Sequence, residues 1–441
     1  GEHTVELTYA GRLNVGYQGS GVGPTIAESG TILPPQSGWL PRGAAERITY
    51  EVTLDLPENR TGLVTGAQTS QKTAEGRNVS IYSANYPSSG PAVFAGAYSQ
   101  TSRTMQGVRL RTLFPDGTAD LAETYLNRAA RYLRHYEALI GPYPYPAFSV
   151  VAAPFPVGLG FEGATYVSED ILNLPYMQGR SLAHEILHSW WGGAVAIAYD
   201  RGNWAEGLTT YMADHWLAEE TGATAATQLR QQWLQDFAVL PASRRRPLTA
   251  FTGKMHDADQ VTGYNKAAMV FHMLRQRLGA QAFNDGLARF YEAKRFDTAS
   301  WADLKQAFET ASGQTLEGFF DQWLTRRDAP AVRLLRADRT QTSDGWSLAF
   351  TLEQDAPAYA IDVPVEIATP YGTSHLTVPL DRRRAHQTVS LDAEPTKLSV
   401  DPRLDLFRVL PDAQVPIMMR ALTLDPNTRV TIAGLRDEAA L

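Results

Sequence analysis

A chain of 441 residues, 44% hydrophobic, 10% aromatic and 20% charged, is too long for one ordinary core and reads as two to four folded domains. A net charge of −7 and a pI near 5.8 argue against nucleic acid as its main partner. No apolar run approaches the roughly 20 residues that span a bilayer. With no cysteine in the chain, disulfides, thiolate metal sites and cysteine nucleophiles are excluded, so any metal must be held by His and carboxylate. The same absence fits an exported or periplasmic bacterial protein. No signal peptide is visible ahead of GEHTVELTYAG; a leader has been removed, or the chain is a segment of something longer.

In chain order, the first hundred residues read as β-structure. Val5-Leu7-Tyr9 alternates, and Ile48-Tyr50-Val52-Leu54 does so before the turn Pro57-Glu58-Asn59. Val79-Ile81 and Val93-Phe94 follow between Gly, Pro and Ser clusters. The pattern changes after Ser102. Val108-Leu110-Thr112 predicts one more strand, and residues 120–140 carry helical spacing ended by Gly141-Pro142. Further helices are predicted at 181–191, 204–219, 264–278, 281–293, 301–311 and 316–324. From about Ala331 alternation returns in Trp346-Leu348-Phe350, Ile361-Val363-Val365 and His375-Thr377-Pro379, which reads as a small β-sandwich. The boundaries that follow are 1–102, 103–328 and 329–410, with a tail, 411–441, of no clear structure.

The chemistry concentrates in SLAHEILHSWWGG, residues 181–193. Residues four apart share a helix face, so His184 and His188 can offer two imidazoles to one ion. Glu185 is turned about 100° from His184, suited to the ion's water rather than to the ion. The plainer reading is a helix with two solvated or core histidines. A catalytic zinc also needs a third protein ligand and an open position. NWAEGLTTYM, residues 203–212, supplies Glu206 in the first turn of a second helix. Asn203 and Glu206 also have the spacing of a capping box, and both readings stay open.

HEILHSWWGG followed by NWAEGLTTYM resembles the zinc core of the aminopeptidase N-like gluzincin family. Seventeen residues separate His188 from Glu206, one fewer than in the family, and the deficit falls in the connecting loop, where deletion is cheap. Upstream, Gly158-Leu159-Gly160-Phe161-Glu162-Gly163-Ala164 resembles the family's Gly-Ala-Met-Glu-Asn strand, with Phe161 in place of Met and Gly163 in place of Asn. Downstream, GYNKAAMVFHMLR from Gly263 resembles its Tyr-x-Lys-Gly-Ala helix.

The resemblance implies an α+β multidomain protein: an N-terminal β-sheet domain, a thermolysin-like and mostly helical catalytic domain, and a C-terminal β-sandwich. It implies one zinc ion per chain on His184, His188 and Glu206, with Glu185 moving the proton of a zinc-activated water. Tyr264 would then donate to the oxyanion, and Glu162, with Gly160 and Phe161 beside it, would bind the α-amine of a peptide with a free N-terminus. By their surroundings alone, Glu162 is equally an exposed loop carboxylate and Tyr264 an aromatic packed at a helix start. Lys266 reads as structural, His215 and His272 as core or surface groups, and Trp190 and Trp191 as packing. The N-terminal domain is short for the family and expected to be incomplete. The family's second amine-binding residue has no clear equivalent, Glu28 and Gln36 being candidates. The large C-terminal helical domain of many relatives is expected to be lacking, which would leave a more open cleft tolerant of peptides of varied length. Two rivals share these residues: a thermolysin-like zinc endopeptidase, which needs no amine anchor, and a non-catalytic binding module on a peptidase fold.

Overall fold

Ile48–Pro57 alternates half-buried and exposed side chains along its whole length, the pattern of a strand with one face on a core. It pairs antiparallel with Arg77–Ser88, which pairs in turn with Ala67–Ala74. The computed structural model from which this is read describes residues 4–16, 22–35, 37–41, 47–416, 419–424 and 428–429. A second sheet runs in the order Thr25–Ala27, Gly30–Leu33, Val93–Gly96, Thr61–Val64. A third has five strands, Gly158–Phe161, Ala164–Ser168, Ala147–Ala153, Val108–Phe114 and Ser99–Met105. Its centre, Ala147–Ala153, is buried at every residue and parallel to both neighbours, which is why it reads AFSVVAA rather than alternating. Leu113, Val151 and Tyr166 of this sheet share one core with Ile32, Val64 and Phe94.

Helix α1, Ala122–Ile140, buries Tyr125, Leu126, Ala129, Leu133 and Tyr136 and ends at Gly141, whose φ of 128° no other residue takes readily. With helix α2, Leu182–Leu187, and the sheets above it belongs to a first compact unit, residues 1–196 and 287–299. The alternating Val5-Leu7-Tyr9 does not form the expected strand. Its side chains are 75%, 60% and 59% exposed and its backbone joins no ladder. Alternation makes a strand only where a neighbour takes the N–H and C=O groups and a core takes one face.

The second unit, residues 197–286 and 300–441, is helical and then β. It contains α3 (Ala205–Thr210), α4 (Trp216–Thr221), α5 (Ala223–Val239), α6 (Asp257–Asp259) and α7 (Ala267–Leu278). After α8 (Ala280–Lys294), which crosses the boundary, come α9 (Trp301–Ser312) and α10 (Glu317–Thr325). Two three-stranded antiparallel sheets follow: Val332–Thr342, Gly345–Gln354 and Arg384–Leu391, then Gly372–Leu380, Ile361–Thr369 and Lys397–Val400. Leu348, Phe350 and Leu352 of one and Val363, Val365 and Ile367 of the other are buried, giving the sandwich expected from alternation. A short helix, α11 (Met419–Leu424), lies in the tail. The fold is therefore α+β multidomain, with β-sheet, helical and β-sandwich parts in that order.

Helix α5 was not expected, because charged residues interrupt its apolar face. Arg230 and Asp236 are buried there beside Trp233, Leu234 and Phe237. Arg230 donates to His215 Nε2 at 2.6 Å and lies 3.3 Å from Asp405, which accepts from His272 Nε2 at 2.9 Å. Burial, then the positive charge of neighbours including Arg230, pushes His215 down to about 2, and burial lowers His272 despite Asp405. The unfolded chain binds those protons near pH 6.5 and the folded one refuses them. This part of the stability is whole above about pH 6.5. It falls below that by up to about 1.4 kcal/mol per pH unit for each histidine. Urea unfolding between about pH 8 and pH 5 measures the slope, and His215→Gln, which keeps an acceptor for Arg230, is expected to flatten it.

Candidate metal centre and catalytic site

Helix α2 follows directly on a π-helical turn, Met177–Ser181, kinked at Gly179. Leu182, Ala183, Ile186 and Leu187 are buried, and Tyr136 of α1 donates to the carbonyl of Ala183 at 3.3 Å. The half-buried side chains are then His184, Glu185 and His188. The helix expected over 181–191 stops early because the chain folds back after His188. Gly193 N–H donates to the His188 carbonyl at 3.1 Å, and Val195 N–H to that of Trp190 at 2.9 Å. A Cβ at Gly193 would lie 2.8 Å from the His188 oxygen, so the return needs glycine. Trp190 and Trp191 are fully buried and act as packing.

His188 Nδ1 donates to the Trp191 carbonyl at 2.9 Å, which leaves the lone pair on Nε2. That Nε2 faces His184 Nε2 at 3.2 Å. Two nitrogens bound to one tetrahedral zinc, each about 2.0–2.1 Å from it, stand roughly 3.3–3.4 Å apart. Ligand atoms of His184, His188 and Glu206 all lie within 4.8 Å of one another, and two imidazoles with one carboxylate are a zinc donor set that leaves a fourth position open. The residues fit the metal.

Glu206 sits in the first turn of α3. Asn203 Oδ1 accepts from the N–H of Ala205 at 2.9 Å and of Glu206 at 3.4 Å, as a capping residue does. The reciprocal half of a capping box is missing, because the Asn203 N–H donates to Phe251 O at 2.6 Å. A carboxylate oxygen of Glu206 lies within 4.8 Å of a ring nitrogen of each histidine. The glycine after it has its own reason: a Cβ at Gly207 would lie 2.2 Å from that of Ala267 on α7. The segment Gln260–Lys266, a second π-helical turn, packs on α3 and carries Tyr264. Gly263, Asn265 and Lys266 are buried while Tyr264 is partly exposed, its ring 6.0 Å from that of Phe251. Asn265 donates to Asp236 at 3.0 Å and Lys266 Nζ to the carbonyl of Arg326 at 2.6 Å; burial pushes this lysine down to about 7. Those two residues hold the turn.

Glu162 and Gly163 are the two-residue loop of a hairpin, since Phe161 pairs with Ala164. Gly163 has a φ of +73°, and a Cβ there would lie 2.5 Å from the Ala147 carbonyl, so this position admits no side chain. Gly160 is exposed, and its Cβ position is 3.2 Å from Glu185 Oε2. Phe161 turns its ring to Phe94 in the core, centroids 5.2 Å apart. Both Glu162 oxygens accept hydrogen bonds, Oε2 from Ser88 Oγ at 2.6 Å and Oε1 from Ser89 N–H at 2.8 Å. Three phenols near it stay protonated: burial and then, among other causes, the Glu162 charge raise Tyr50 to about 12 and Tyr86 and Tyr145 further. Of the two candidate second anchors, Glu28 is exposed and Gln36 lies outside the described residues. Ser88 and Ser89 gave no signal in the sequence.

A His-Glu-x-x-His helix with a glutamate from the following helix is the grouping that the resemblance to gluzincin metallopeptidases implies. Residues 125–323 match the Peptidase family M1 domain. It is 23% identical to Aminopeptidase M1 of Arabidopsis thaliana over 308 residues, 65% of this chain and 35% of that protein. It is 24% identical to Tricorn protease-interacting factor F2 of Thermoplasma volcanium, over 53% of this chain and 31% of that one. The chain thus spans about a third of the length of these relatives. The crystal structure of Legionella pneumophila aminopeptidase A in complex with aspartic acid shares the fold, with a TM-score of 0.69 at 16% identity over 91% of this chain and 49% of that one.

Gly207→Ala tests the close approach of α3 and α7. With no flexible side chain to give way, it is expected to cost about 1–3 kcal/mol and to weaken zinc binding by shifting Glu206, as read from the melting temperature and from zinc titration.

Proposed function

We propose that this chain is a zinc-dependent aminopeptidase that removes N-terminal residues from peptides, with one zinc held by His184, His188 and Glu206. The observation that carries the proposal is the short strand linking the two carboxylates. Glu162 lies two residues beyond Gly160, and Gly160 lies against Glu185 Oε2. A carboxylate at that remove from a general base suits an α-ammonium one residue from the cut, which an endopeptidase does not need.

When bound, zinc supplies Lewis acidity, lowering the pKa of a water toward about 7 and polarising the scissile carbonyl. Glu185 takes the attacking water's proton at its carboxylate and returns it to the leaving amine. The Tyr264 hydroxyl donates to the oxygen that gains negative charge. Glu162 binds the substrate's α-ammonium and so fixes which bond reaches Glu185. Gly160, on an edge strand with one side of its backbone unpaired, leaves room for the substrate main chain.

Glu185→Gln is expected to lower kcat roughly 10²- to 10⁴-fold with zinc content unchanged, as measured by turnover of an amino-acid anilide and by metal analysis. Unaltered activity would contradict the assigned role. Chelation is expected to abolish turnover and zinc to restore it. Cleavage of an N-acetylated peptide in preference to its free-amine form would favour an endopeptidase.

A further inference from the structure

The carboxylate assigned to the substrate amine needs a fixed direction, and its own loop does not supply one. Gly163 can carry no side chain, because Ala147 O stands 2.5 Å from its Cβ position. Two contacts distant in sequence do the fixing. Ser88 is fully buried at the end of the Arg77–Ser88 strand. Its Oγ accepts from the N–H of Gly90 at 3.0 Å, and its one proton goes to Glu162 Oε2 at 2.6 Å. Ser89 N–H holds the other oxygen at 2.8 Å. A carboxylate has about four lone-pair sites; two are used, and the partly exposed Glu162 keeps the others for a ligand.

We infer that Ser88, with the backbone N–H of Ser89, is a positioning residue that aims the Glu162 carboxylate at the substrate's α-ammonium. The inference rests on the aminopeptidase reading above. Ser88 does not touch substrate and acts through Glu162. The turn at residues 88–90 thereby sets the direction of the amine-binding carboxylate. A purely structural tie between the strand and the hairpin would affect every substrate alike, whereas a positioning residue affects those that carry the amine.

The test compares an amino-acid anilide with the same anilide lacking its amine, on the zinc-loaded full chain. Ser88→Ala is expected to lower kcat/KM for the free-amine substrate roughly ten- to a hundredfold, chiefly through KM. The slower turnover of the amine-less substrate should not change. Ser88→Cys, close in shape and a weaker donor, is expected to show the same selective loss in smaller measure at an unchanged melting temperature. Because Ser88 acts through Glu162, Ser88→Ala combined with Glu162→Gln should be no worse than Glu162→Gln alone. Equal losses on both substrates, additive losses in the double variant, or no loss on the free-amine substrate would each overturn the inference while leaving the aminopeptidase reading in place. A wild-type enzyme that hydrolyses both anilides equally well would overturn that reading and this inference with it.

Discussion

Two imidazole nitrogens on one helix face meet at 3.2 Å, and most of the site follows from that constraint. Two lone pairs at this distance repel unless a proton or a cation lies between them. The Trp191 carbonyl commits His188 to the tautomer whose Nε2 is an acceptor. That carbonyl is in place because the chain turns back at Gly192-Gly193 instead of extending the helix. The buried Trp190 and Trp191 secure the return. Glycine at 193 is thus as much a part of the centre as the histidines are.

The carboxylates divide the remaining work by what surrounds them. Glu206 is released from its capping role because Phe251 O takes the Asn203 N–H. Glu185 faces Gly160, an exposed glycine on an edge strand. Glu162 is held from both sides by the turn at Ser88. Three π-helical turns, at Met177–Ser181, Tyr211–His215 and Gln260–Lys266, adjoin or contain the elements that carry Glu185, Glu206 and Tyr264. Such turns re-aim a side chain by inserting one residue into a helix, which is why they gather at functional sites.

Much of this was legible in the sequence, and the reasons for the gaps are physical. The i, i+4 pair was plain because helix periodicity alone brings its members together. Glu206 was legible but ambiguous, since only a tertiary contact to Asn203 separates a ligand from a cap. The helix Ala223–Val239 was missed because Arg230 and Asp236 sit in its buried face, paid for by His215, Asp405 and Asn265 in distant segments. Val5-Leu7-Tyr9 failed for the converse reason, a strand-like pattern with neither ladder nor core to use it. The Ser88–Glu162 contact joins residues 74 apart, and nothing in PSSG distinguishes it from an ordinary turn.

The central claim is that this fold builds one zinc site from two imidazoles and a carboxylate. X-ray absorption at the zinc edge, on the chain loaded to stoichiometry, tests it most directly. The account requires one tightly held zinc per chain, with two imidazole nitrogens and carboxylate oxygen in its first shell and with the carboxylate lost in Glu206→Ala. A substoichiometric or readily washed-out metal, or a shell without two imidazoles, would contradict it.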